Sequence, residues 1–223
     1  MHAFRRGVQT AVLISFAGLL AGCLVTSLRP LSDETYPPIF DNSLLGRWIE
    51  VRENGESQDK GNVHILIEPW QKETGPAYKI THTVIDNQAI TTTVLRGSLV
   101  ELGSLRILDT VIGDDSMIKA VDSRVAEAHL RHVHFFSKVT VTDNTLVLLP
   151  LRNEWFMVKV LEEGISLPCI FECKDGAVEY CHVLLTGNPR QLREFFRIYG
   201  DQPNLFNEPG SSGVILRSVW RRS

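Results

Sequence analysis

No enzyme signature runs through this sequence. Gly-x-Ser-x-Gly is absent, Gly210-Ser211-Ser212-Gly213 reads as a flexible loop, and no phosphate loop, dinucleotide fingerprint or metalloprotease His-Glu pair occurs. The chain therefore nominates no nucleophile, no base and no cofactor. An excess of positive charge is missing too. With 23 Lys and Arg against 26 Asp and Glu, mixed throughout, there is no electrostatic footprint for nucleic acid. A membrane-spanning helix is also lacking near the start, because the apolar stretch from Ala11 to Val25 is interrupted by Ser27 and Arg29 before it reaches the roughly 20 residues needed. Cysteine is scarce, with four in 223 residues: Cys23, Cys169, Cys173 and Cys181.

What is present begins with Arg5 and Arg6, followed by the uncharged run Ala11 to Leu20 and then Leu20-Ala21-Gly22-Cys23. A basic segment, a short apolar core and small residues form a secretory signal peptide. The cysteine after Leu-Ala-Gly resembles the lipobox of bacterial lipoproteins. That resemblance implies cleavage before Cys23, a diacylglyceryl group on its thiol and attachment to the cell envelope. In that family an Asp after the modified cysteine retains the protein in the inner membrane. Leu24 stands there instead, which implies the outer membrane, facing the periplasm, in a source with two membranes. A multiply acylated cysteine is a lasting anchor, since a single chain binds only marginally. The 201 residues from Cys23 onward suffice for one domain of the larger all-β kind, with a net charge of about −5 once Arg5 and Arg6 are removed.

From Leu24 to Phe40, Pro30, Pro37 and Pro38 are separated by polar residues with no hydrophobic period, which predicts a lipidated tether spanning about 20 to 25 Å. The folded body is expected to start near Asp41. Val63 to Ile67, Tyr78 to Ile85, Ala89 to Val100 and Leu105 to Val111 are β-rich runs bounded by turn residues. Alternation places Tyr78, Ile80, His82 and Val84 on one face, as candidate lining of a binding site, and Lys79, Thr81 and Thr83 on a wet face. Asp86-Asn87 suits a hairpin turn. Successive hairpins make a meander, which closes into a barrel when enough strands remove its edges. Gly113 to His129 reads as a rim loop with some helix, followed by strands at His132 to Thr140 and Thr145 to Leu149.

Glu154 to Glu163 is too continuously apolar for either period and is assigned a short buried helix stopped by Gly164. Asn188, Pro189 and Gln191 form the start of a helix in which Leu192, Phe195, Phe196 and Tyr199 share a stripe that must be buried. Gly200 ends it, and a last strand is expected at Val214 to Val219.

Gly46-Arg47-Trp48, opening the first strand after a short turn, resembles the start of lipocalin and calycin barrels. The resemblance implies a tryptophan across the closed barrel end, an arginine from the last strand stacked on it, with Arg217 the matching residue, and a C-terminal helix packed outside. It also implies a small, partly apolar ligand in the barrel mouth. A solid core with an outer patch contacting another envelope protein is the rival reading.

Two side-chain clusters carry groups capable of chemistry. His129, His132 and His134 offer imidazoles that zinc accepts, yet their spacing fits no metal motif, and a core histidine with solvated neighbours is the simpler reading, so no metal is assigned. Around Lys174-Asp175-Gly176, a three-residue turn sets Cys169 opposite Cys181 and permits a disulfide, whereas a two-residue turn puts them out of register. Cys169 with Cys181 is the preferred pair. With Cys23 lipidated, three cysteines remain and cannot all pair within one molecule.

Overall fold

The computed structural model of the protein describes residues 25–51, 63–71, 75–86, 89–113, 133–173, 181–207 and 218–223. Among these described residues, eleven strands follow one another as β1 (Val25–Ser27), β2 (Gly46–Val51), β3 (Val63–Pro69), β4 (Tyr78–Asp86), β5 (Ala89–Leu102), β6 (Leu105–Ile112), β7 (His134–Val141), β8 (Thr145–Pro150), β9 (Cys169–Cys173), β10 (Cys181–Leu185) and β11 (Ser218–Arg222). Strands β2 to β8 form the expected meander, β11 inserts between β8 and β2, and pairing of β6 with β7 closes an eight-stranded antiparallel barrel. The last strand thus falls on Ser218–Arg222; residues 214–217 lie outside the described residues.

Side-chain alternation divides the barrel wall cleanly. Ile65 and Ile67 of β3, Tyr78 and Ile80 of β4, Leu99 of β5, Leu108 of β6, Val139 of β7, Leu146 of β8 and Trp220 of β11 point inward, with Trp48 and Leu44, into one apolar cluster. Val100 and Leu102 of β5, Leu105 and Ile107 of β6, Phe136 of β7 and Leu149 of β8 point outward and are equally buried. A second layer must therefore cover the outer wall on that side.

That layer is helical. Helix α1 (Asn153–Phe156) widens into a π-helical stretch, Met157–Glu162, and buries Trp155, Phe156 and Met157 while leaving Val158 and Leu161 exposed. Helix α2 (Pro189–Tyr199) starts with a full capping box: Asn188 Oδ1 accepts from Gln191 N, and Gln191 Oε1 accepts from Asn188 N, both at 2.9 Å. Its stripe of Leu192, Phe195 and Phe196 packs on the outer wall, with Phe196 edge-on to Phe136 at 5.8 Å and Trp155 against Phe195 at 5.7 Å. Each such ring contributes about 2 to 3 kcal/mol by burial alone. Gly200 closes the helix where a β-carbon would lie 2.4 Å from Phe196 O and 2.5 Å from a methyl of Leu105 at the β5–β6 turn, the backbone contact being the one that cannot give way.

The segment expected to be a tether is built into the fold. Val25–Ser27 forms β1, parallel to β10 and antiparallel to β7, and a flange of β1, β10 and β9 continues from β7. On β7's edge, β8 stops at Pro150 opposite Ser137, and β1 takes over opposite Phe135 and His134. Beyond β1 the chain straps across the outer wall: Leu31 is fully buried, and Ile39 N donates to Leu99 O at 2.8 Å. Proline and polar residues do not make this stretch a free linker, because its backbone groups find partners on the wall.

Candidate functional site

The two ends of the barrel are chemically different. At the closed end, Gly46 adopts φ +124°, and a β-carbon there would sit 3.3 Å from Arg222 Nη1. Trp48, fully buried, donates its indole N–H to Leu44 O at 2.9 Å, and the Arg222 guanidinium lies 4.4 Å from its ring centre. Arg222 also donates to Asp143 O (2.8 Å), Ser43 O (2.9 Å) and Leu45 O (3.1 Å), tying the β7–β8 turn to the entry of β2. An arginine does lie over Trp48, and it is Arg222; Arg217, the residue expected there, lies outside the described residues. Arg222 stands opposite Trp48 in the β2–β11 ladder, so the register chooses it.

Tyr78 helps to seal the same end. Its hydroxyl accepts from Asp41 N at 2.6 Å, Phe40 stacks on its ring at 4.8 Å, and burial pushes its pKa up. Arg106 pairs with Asp41 beside it. Burial alone would raise the Asp41 carboxyl, but hydrogen bonds from Ser43 and the Arg106 charge outweigh it and hold the carboxyl below its ordinary value.

Toward the other end, the inward row changes character. His82 stands in register with Ile65 and Thr93, and Val84 with Val63 and Thr91. Glu50 stands opposite Trp220. His82 and Val84 are half-buried, whereas Tyr78 and Ile80 are buried in the apolar cluster. Of the four expected lining residues, Tyr78 and Ile80 therefore fill the lower barrel, and His82 and Val84 alone reach the mouth. The cause is depth: nine residues of β4 run the whole height of the wall.

Below the mouth, the ring of Trp220 lies 6.3 Å from His82, edge to face. Trp220 is 4% exposed, and its indole N–H has no hydrogen-bond partner among the described residues. Burial, then the nearby His64, holds the His82 imidazole below its ordinary pKa, so it is neutral at pH 7 and can donate or accept without charge. Sequence reasoning missed Trp220 and Glu50. Their signals were the alternation of β2, which sets Glu50 on the face of Trp48, and that of the final strand, whose expected range stopped at Val219.

The other candidate groups separate. His134 is a buried core group whose Nδ1 lies 2.7 Å from Asp109 Oδ1, while Asp109 Oδ2 accepts from Leu31 N at 3.0 Å. Arg193 of α2 continues the chain of contacts, donating to Leu31 O at 2.7 Å and to Asp33 at 2.9 Å. These groups bolt the N-terminal strap to the wall. His129 and His132 lie outside the described residues, and among those described no three His, Cys, Asp or Glu side chains gather to hold a metal.

The expected Cys169–Cys181 bridge is not made. Cys169 carries a free thiol and stands opposite Leu185, while Cys173 stands opposite Cys181 and is disulfide-bonded. The register is four residues away from the one that would set Cys169 opposite Cys181; residues 174–180 lie outside the described residues. Cys23 lies outside the described residues. Compared with protein-family models, curated proteins and solved structures, the chain has no match.

Proposed function

We propose that this chain is a non-catalytic, lipid-anchored protein of the cell envelope, held by an acylated Cys23, whose barrel mouth binds a small molecule with an apolar body and an uncharged hydrogen-bonding group. In a source with two membranes it faces the periplasm from the outer one. Among the described residues no helix is long and apolar enough to cross a membrane. The observation that carries the ligand reading is the buried, unpartnered indole N–H of Trp220 inside a closed barrel, beneath a neutral His82. An orphaned buried donor costs about 1 to 3 kcal/mol, a cost that an acceptor on a bound molecule removes.

Native mass spectrometry of protein purified from the source cells tests this reading. A retained small molecule, lost or bound at least tenfold more weakly in Trp220→Phe, is the expected result. Recovery of ligand-free protein from both forms overturns it and favours an assembly role through the outer surface. Metabolic labelling with a palmitate analogue tests the anchor: label on the wild type and none on Cys23→Ala is expected, and an unlabelled wild type overturns it.

A further inference from the structure

The mouth of the barrel is shallow, and its polar groups lie at the bottom. Trp48, Tyr78, Leu99 and Leu146, with the rest of the inward cluster, are at most 5% exposed and plug the lower barrel, and Trp220 belongs to the same plug beside His82. From His82, β4 runs only four residues further, to Asp86. Tilted as barrel strands are, that length makes a wall about 10 Å high. At its foot stand His82, Thr93 in register with it, and the unpartnered indole N–H of Trp220. Higher up, Val63 and Val84 stand side by side, with Thr91 next to them. Among the described residues, the inward positions from Trp220 to the rim carry no Lys or Arg.

We propose that the ligand of this mouth is a compact, uncharged molecule that enters polar end first, its oxygen acceptor meeting Trp220 Nε1 and its apolar body lying against Val63 and Val84, and that it is not a long-chain lipid entering tail first. This deepens the reading of the mouth as a binding site and rests on it. The order of entry follows from where the unmet bond lies. An indole N–H only donates, so the end that goes in first must accept. An apolar tail driven to the floor would leave that N–H as orphaned as before, and it would meet the plug after about 10 Å of wall. A carboxylate head would accept as well, but it would be stripped of water with no cation facing it. The His82 imidazole, held neutral by burial, supplies a second group at the floor that can donate to the same end or accept from it.

The test is fluorine NMR on the full chain in nanodiscs, labelled with 5-fluorotryptophan, the Trp220 resonance being the one lost in Trp220→Phe. The probes, titrated at measured free concentration, are cyclohexanone, which carries an oxygen acceptor, methylcyclohexane, which matches its size without one, and dodecanoate, a long-chain carboxylate. The expected result is a saturable shift of the Trp220 resonance with cyclohexanone, binding at least tenfold weaker for methylcyclohexane, and no displacement of cyclohexanone by dodecanoate. Methylcyclohexane that binds as tightly as cyclohexanone overturns entry by the polar end, and displacement by dodecanoate overturns the compact ligand; either result leaves the mouth a binding site. A Trp220 resonance that none of these probes moves overturns the binding site itself, and this proposal with it.

Discussion

The barrel interior and the outer wall beneath the helices are both apolar, yet they are built to different ends. Among the described residues, eleven buried apolar side chains fill the interior and nineteen form the core between the wall, the flange and the helices. The outer core is rich in aromatic contacts: Trp155, Phe156, Phe195, Phe196 and Phe206 form a chain with ring centres 5.3 to 6.3 Å apart. The interior instead gives way, toward the mouth, to His82, Thr93 and an unpartnered indole. Seating most of the apolar burial outside relieves the barrel of the need for a uniformly packed centre.

Mutation of the outer core should be the most damaging. Phe196→Ala should lose about 4 kcal/mol, read as a fall in the denaturant midpoint. A smaller loss than for Ile80→Ala in the interior would reverse the comparison. Next comes the strap. Asp109→Asn leaves His134 and the Leu31 amide without their carboxylate and should cost about 3 kcal/mol, with hydrogen-exchange protection falling first in residues 25 to 33. At the closed end, Arg222→Ala removes the guanidinium from Trp48 and three carbonyl contacts, for about 2 kcal/mol, with a change in tryptophan emission.

The smallest effect should come from pH and should sharpen the difference between the two ends. Burial depresses the pKa values of His64, His82 and His182 below 6.5. Between that value and each depressed one, the unfolded chain binds more protons than the folded one, so stability is complete above about pH 6.5 and declines as pH falls through the folded values. His82→Gln should flatten that acid shoulder in a pH series of thermal melts; an unchanged slope would place the effect elsewhere.

Much of this architecture is legible in local pattern. The helix at Pro189 announces both its cap and its stripe, and Tyr78 to Val84 alternates as a strand should. Trp48, at the start of β2, is fully buried with an arginine over its ring. What escaped reading depends on register and on distant partners. Val25-Thr26-Ser27 is too short to show a period, and its hydrogen-bonding partner His182 lies 156 residues away. Arg222 and Arg217 both sit in the C-terminal stretch, and only the pairing with β2 chooses between them. Likewise, composition leaves the register of β9 against β10 open, and it is the ladder that sets Cys173 opposite Cys181. Asp109 looked like an ordinary interruption of a strand, since nothing local reveals that a histidine and an N-terminal amide converge on it.

The threading of β1 between β7 and β10 has a temporal corollary. This strand is among the first parts of the described chain to leave the ribosome, yet one of its two neighbours is among the last. It can pair with β7 once His134 and Phe135 are made, but its parallel ladder must wait until Leu185 has been made, so its docking is completed in a late, high-contact-order event. A chain truncated ahead of β10 would leave this strand held on its β7 side alone.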